Sequence, residues 1–432
     1  MRNNHFLSLA IIITILFINA STLLQIAIIP KQLQQLSIND IALLLNTAST
    51  PSYLIGHFEY YNRKSEEFLP LAFVAVSLYI YGGDKLGTTY TDINGNFTFG
   101  PIDVSQDGMN IICYVYTQND NVIVLKGTTS NTYSDYTWPP IFIQPGENKT
   151  ITATFYDPEG GFTVFSYHSG LIKGWHYIYE TTSSDILNAT ARYPYPYGIP
   201  HYDSETREIH LPTFTYNYTD TILHEYAHYV MHWAHYYSLH YWYWPGSSPD
   251  YSHNGTSDPT TAWVEGWAFF FPLAVKNNGT YIKRVWDYDE VIDFENQHWC
   301  SPGWDDGDKV VGRVTGALWD IYDSQNDSYD TFSDGFNRTW NVLLSQPYNG
   351  EPCNNFFLFW KIWNVTYYTH PKTNASQLQD WNRTLVAIFQ NSIDYRGPGD
   401  VDANGFVDID DLYKVANLFG VSKGDTRWDD RA

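Results

Sequence analysis

Charge is scarce in this chain: Asp, Glu, Lys and Arg make up 16% of its 432 residues, where an average soluble domain carries about 25%. The basic half is the scarcer. Twenty-four Lys and Arg face 47 Asp and Glu, for a net charge of −23, and a protein that grips nucleic-acid backbone needs a basic surface that this balance does not supply. Nucleic acid is excluded as a partner. Cysteine is scarcer still, at three residues. Cys113 sits in the apolar run Met109 to Tyr116 and reads as a buried thiol, so no redox or thiol-protease chemistry rests on it. Long apolar runs are missing beyond the N-terminus, where no segment reaches the roughly 20 residues of a membrane span without charge or proline.

What is abundant points the other way. Apolar residues at 44%, aromatics at 18% and 16 tryptophans require a sizeable core, which excludes disorder. The charged start MRNNHF runs into the apolar Leu7 to Ile18 and then Ala20 and Ser21, so residues 1–20 read as a secretory signal. The second apolar piece, Leu23 to Ile29, leaves an uncleaved anchor as the alternative, and residues 21–52 read as a leader or linker. Asn-x-Ser/Thr acceptors recur from Asn96 to Asn382 beyond chance expectation, as in a secreted glycoprotein. In an oxidising compartment Cys300 and Cys353 can form one disulfide, leaving Cys113 over.

The expected fold is multidomain. From residue 53 to 156 short Val/Ile/Tyr/Phe runs alternate with Gly, Asp and Asn turns, predicting an antiparallel β-sandwich. Within it Asn94-Gly95 predicts a hairpin turn. The strings PLAFVAVSLYI and TDINGNFTF resemble the transthyretin-like or carboxypeptidase-regulatory-like β-domain of secreted enzymes. Residues 157–395 are mixed: strand-like pieces at Phe162 to Tyr167 and Arg207 to Leu211, then helical patterns at Thr221 to Tyr236, Pro259 to Val275, Val310 to Tyr322, Gly335 to Ser345, Asn354 to Tyr367 and Ala375 to Asn391. That is an α+β domain. Residues 396–432 form a short acidic module.

His224-Glu225-Tyr226-Ala227-His228 puts two imidazoles at i and i+4, stacked on one helical face where they can share a metal ion, with a glutamate between them. Asp220, ahead of them, is expected as the helix N-cap. Catalytic zinc takes three protein ligands and keeps one open position. Glu265, in Trp263-Val264-Glu265-Gly266-Trp267-Ala268 after the helix start at Asp258-Pro259, is an acid in an apolar run and needs a partner. His232 and His235 continue the first helix as packing groups, and Tyr236 to Trp244 reads as core or cleft wall.

HEYAH followed by WVEGWA resembles the gluzincins, the thermolysin-like and fungalysin-like zinc metallopeptidases, and Gly312 to Asp320 (GRVTGALWD) resembles their later helix. The resemblance implies Zn²⁺ held by His224, His228 and Glu265, water activated by the metal, and Glu225 as general base acting on a peptide or protein substrate, endopeptidase rather than aminopeptidase. It also implies a further donor to the oxyanion, for which His298, Arg313 and Tyr322 are candidates. The Arg207 to Leu211 strand resembles the edge strand on which substrate adds. Where thermolysin and fungalysin carry an Asp four residues after the glutamate ligand, this chain has Phe269, so Asp320 or Asp323 is expected to orient a ligand histidine instead.

In the C-terminal module Asp400, Asp402, Asn404, Phe406 through its carbonyl, Asp408 and Asp411 offer oxygens around the sharp-turning Gly405, a Ca²⁺ loop followed by a helix from Leu412 to Phe419. This EF-hand-like loop–helix resembles one half of a dockerin type I repeat, which implies a cohesin-like or surface partner. Dockerins carry two such loops; one stands here. The leading reading is a secreted zinc peptidase. Two rivals stay open: an extracellular carbohydrate-active hydrolase working through paired carboxylates, and a non-catalytic surface protein that keeps the zinc fold.

Overall fold

The computed structural model describes residues 51–62, 65–156, 164–186, 188–196, 198–212, 218–240, 243–248, 251–285, 288–297, 301–324, 331–368, 375–399, 407 and 409–418. The N-terminal signal, His298, Cys300 and the calcium loop apart from Asp411 lie outside the described residues. Among the described residues no helix is long and apolar enough to cross a membrane.

The chain divides into two units. One holds Gly100–Met109 and Ile143–Asn148 with the described residues up to Tyr53; in it the Ser52 hydroxyl donates to the Gln144 carbonyl at 3.1 Å and accepts from the Gly146 N–H at 2.8 Å. The other holds Leu54–Phe99, Asn110–Phe142 and everything from Lys149 on.

Ten strands open the described chain: β1 (Ser52–Asn62), β2 (Glu67–Pro70), β3 (Ala75–Ile80), β4 (Lys85–Tyr90), β5 (Asn96–Ile102), β6 (Met109–Tyr116), β7 (Val122–Lys126), β8 (Ser134–Tyr136), β9 (Ile141–Ile143) and β10 (Asn148–Phe155). One sheet runs β10-β1-β2 with β5 also on β1; a second runs β4-β3-β6-β8 with β9 also on β6. Strand alternation sends Val76, Leu78, Ile111, Cys113 and Val115 to the covered side of the second sheet, all fully buried. Burial pushes the Cys113 thiol up to about 12, as befits an inert core group. The Asn94-Gly95 turn does not close a hairpin, because β4 and β5 belong to different sheets. Gly95 is needed there: its φ is +76°, and a Cβ would stand 2.3 Å from the Phe58 carbonyl oxygen.

The second half carries α1 (Val164–Thr182), β11 (Ala189–Tyr195), β12 (His201–Asp203), β13 (Glu208–Pro212), α2 (Thr219–Leu239), α3 (Pro259–Lys276), the hairpin β14 (Thr280–Val285) and β15 (Tyr288–Asp293), then α4 (Val311–Tyr322), α5 (Gly335–Leu343), α6 (Phe356–Tyr367), α7 (Ala375–Gln390) and α8 (Ile409–Leu418). Two expectations are corrected. Of the piece from Phe162 to Tyr167, strand-like in its residues, the described part Val164 to Tyr167 belongs to α1, whose buried Val164, Tyr167, Leu171, Trp175 and Ile178 follow the helical period. The strand through Arg207 to Leu211 is not an edge: in the order β12-β13-β11-β7 it lies between β12, antiparallel, and β11, parallel, so β12 is the edge. The other end of this sheet is β7, which pairs parallel with β11 from Val122–Ala189 to Lys126–Tyr193.

Four helices are packed close enough to fix the site. Gly170 and Gly174 of α1 let Ile222 and Tyr226 of α2 approach. Trp267 of α3 donates its indole N–H to the Ala227 carbonyl of α2 at 3.0 Å, and Gly266 faces Val314 and Val311 of α4 with no room for a side chain. Asp220 lies in the first turn of α2 rather than at its cap. Its carboxylate accepts from the Lys276 ammonium at the end of α3 and from the Ile282 N–H of β14, both at 2.7 Å, so one buried acid ties three elements together.

Candidate metal centre

α2 and α3 each present a buried polar group to the other. On α2, His224 and His228 are one turn apart, their rings 4.8 Å between centroids and edge to face. On α3, held at its start by Asp258 accepting from the Thr260 and Thr261 N–H groups, Glu265 reaches back between them. His224 Nε2 lies 3.3 Å from Glu265 Oε2 and His228 Nε2 lies 3.6 Å from Glu265 Oε1. These donor atoms all fall within 4.8 Å of one another. Two imidazole nitrogens and one carboxylate, buried and converging on one point, fit a first-row divalent cation such as zinc.

The electrostatics follow from that convergence. Burial works against the Glu265 charge, but His228, His224 and Tyr251 outweigh it and hold the carboxyl well below the usual range, at about 2. Burial lowers His224 too, yet Glu265 and Glu225 leave it raised overall, whereas burial takes His228 down to about 4. Glu225 stands apart from the donor cluster. Burial pushes it up to about 7, with Glu265 adding to the rise and His224, His201 and the nearby backbone of Tyr202 on β12 opposing it.

Of the proposed oxyanion donors, neither described one is directed here. Arg313 is fully buried, its Nε donating to the Asp305 carbonyl at 3.0 Å and its guanidinium over the Trp304 ring. The Tyr322 hydroxyl donates to the Ala274 carbonyl near the end of α3, at 3.1 Å. Nor do Asp320 and Asp323 orient a ligand histidine: the Nδ1 atoms of His224 and His228 are buried without a hydrogen-bond partner among the described residues, and Asp320 accepts instead from Asn391 at 2.7 Å. Phe269 fills the place of the missing acid, its ring 4.7 Å from that of His224. His232 is a packing group, with the Tyr202 hydroxyl 2.7 Å from its Nδ1. Cys353 is a buried free thiol, which lends no support to the bridge with Cys300.

Sequence reasoning missed two groups. Tyr251, in the irregular segment between α2 and α3, donates its hydroxyl to Glu265 Oε2 at 2.6 Å, and the backbone of Tyr202 on β12 lies close enough to Glu225 to favour its charged form. Neither belongs to a periodic element that points to the site, so the only signal available was the density of aromatics around the motif. Trp244 does come from the run read as cleft wall, 5.5 Å from His228.

Fold and donor set thus define an α+β domain built around a buried two-histidine, one-glutamate cluster. Residues 180–382, a little under half the chain, match the family model of the mycolysin C-terminal domain, a metallopeptidase domain consistent with the gluzincin resemblance. No curated protein matches the chain.

Proposed function

We propose that the protein is a secreted zinc-dependent endopeptidase in which His224, His228 and Glu265 hold the metal and Glu225 is the general base. The observation that carries this is the convergence of three ligand atoms from α2 and α3 on one point, with a second carboxylate, Glu225, coupled to them. When bound, zinc would supply a Lewis acid for the scissile carbonyl and lower the pKa of water. Glu225, with a pKa near 7, suits proton transfer at neutral pH: it would take a proton from the attacking water and deliver it to the leaving amine. The Tyr251 hydroxyl would fix the orientation of Glu265. The acidic C-terminal module is proposed to bind Ca²⁺ through Asp400, Asp402, Asn404, the Phe406 carbonyl, Asp408 and Asp411; Asp411, buried in α8, is the described member of that set.

The deciding experiment is cleavage of casein and of a peptide library by the wild type and by Glu225→Gln, with zinc measured on both. Expected are one zinc per chain in each, loss of cleavage on chelation, and a drop of about 10²- to 10⁴-fold in the variant. A variant that cuts as fast as the wild type, or a wild type holding well under one zinc, would overturn the reading.

A further inference from the structure

We infer that the outer face of the β4-β3-β6-β8 sheet is a binding platform for a neutral polysaccharide. The inference stands on residues other than those of the metal centre and does not depend on the peptidase reading.

Register fixes which residues share that face. Ser77 pairs with Thr88 on one side and Tyr114 on the other, and Tyr114 pairs with Tyr136, so Thr88, Ser77, Tyr114 and Tyr136 form one row across four strands. The next row is Tyr90, Ala75, Tyr116 and Ser134. Tyr79 lies two residues beyond Ser77 on the same strand and so on the same side. Five tyrosines therefore occupy the side opposite to the apolar residues of the sheet. A solvated sheet face ordinarily carries small polar and charged side chains there. Tyrosine dominates this one.

The rings form a connected surface. Tyr114 lies 5.3 Å from Tyr79, 5.4 Å from Tyr136 and 6.5 Å from Tyr116 between ring centroids. Ala75 and Ser77, the small residues between them, are only 2% and 3% exposed although they are on the outer side. The neighbouring rings must lie over them rather than stand away from the sheet. Among the described residues the rings stay open to solvent, Tyr136 being 47% and Tyr90 45% exposed. Beyond the end of β3, Tyr81 and Trp138, both exposed, continue the aromatic surface with centroids 6.2 Å apart.

The chemistry of the face selects the ligand. Neither paired row contains a charged side chain, which disfavours phosphate, nucleic acid or an acidic peptide. Exposed aliphatic side chains, which a protein partner or an acyl chain would bury, are also missing from these two rows. What the rows offer is aromatic π surface edged with hydroxyls: phenols of the tyrosines with Thr88 and Ser134. Pyranose rings match this arrangement, laying their C–H faces on the aromatic rings and bonding their hydroxyls to the phenolic rim. Charges stand only at the margin, Lys85 opposite Tyr79 and Asp120 accepting from the Tyr90 hydroxyl at 3.2 Å.

The test is co-sedimentation of the full protein with microcrystalline cellulose, chitin, insoluble xylan and insoluble mannan, with light scattering for oligomeric state. Retention is expected on at least one of the four, weakened about tenfold or more in Tyr114→Thr/Tyr136→Thr, as the loss of two aromatic contacts implies. Tyr179→Ala, removing an exposed ring on α1, should bind as the wild type does. If the double variant fails to fold by circular dichroism, Tyr136→Thr alone, at an exposed strand end, is read in its place. The inference is overturned by no retention on any of the four polymers, by retention indifferent to the substitutions, or by a dimer that the same substitutions dissociate.

Discussion

A hydroxyl at one tyrosine bears on how tightly the metal centre closes. Glu265 meets an imidazole at each carboxylate oxygen, and its Oε2 also accepts from Tyr251. Both ligand histidines lack an acceptor at Nδ1 among the described residues, so Tyr251 is the one polar group described as orienting any of the three donors from behind. Tyr251→Phe should keep the ring in place and cost about tenfold in zinc affinity, measured by competition with a chromophoric chelator. Unchanged affinity would show that packing alone positions Glu265. The four residues His224, Glu225, His228 and Glu265 were legible because helical periodicity turns spacing into shared position. Tyr251 and Tyr202 were not, because an irregular segment and a short edge strand acquire their neighbours only from tertiary pairing.

Between helices, the controlling contact is the approach of α3 to α4 at Gly266, next in sequence to Glu265. A Cβ there would sit 2.6 Å from Val314 Cγ1 and 3.3 Å from the Val311 carbonyl oxygen. Gly266→Ala should destabilise the fold by about 1–3 kcal/mol through overpacking, despite the better helix propensity of alanine. The check is the urea midpoint, which should fall with little change in slope; a midpoint that rises would mean that α4 yields freely. At this scale the sequence announced α2 to α7 to within about three residues at each end, since each carries an apolar stripe and most carry recognisable ends. It concealed α1, whose first residues are β-branched and aromatic, and the β14–β15 hairpin, which carries no Gly-containing two-residue turn.

Across the molecule, metal binding and stability are linked. Three buried ionisable donors face one another in the folded chain and cannot converge in the unfolded one, so zinc held there would favour the native state. At about 100 times its dissociation constant, free zinc should add roughly 2.7 kcal/mol. Removing it with a zinc-selective chelator, with calcium still supplied, should lower the calorimetric Tm by several degrees. An unmoved Tm would count against a resident metal at this site.

The partition of the chain was less legible than its elements. Val122 to Lys126 has the composition of its N-terminal neighbours, and only tertiary pairing reveals that it joins β11. The consequence is one of inheritance. A segment that ends in its own closed sheet can be gained, lost or exchanged as a cassette, but residues 53–156 cannot, because they lend a strand to the sheet that precedes the metal-bearing helices. Deleting them would leave Ala189 to Tyr193 with an open row of backbone donors and acceptors, a ready template for joining another molecule. Change in the N-terminal strands is therefore constrained by the peptidase-like half, and the reverse, through the β7–β11 ladder that they share.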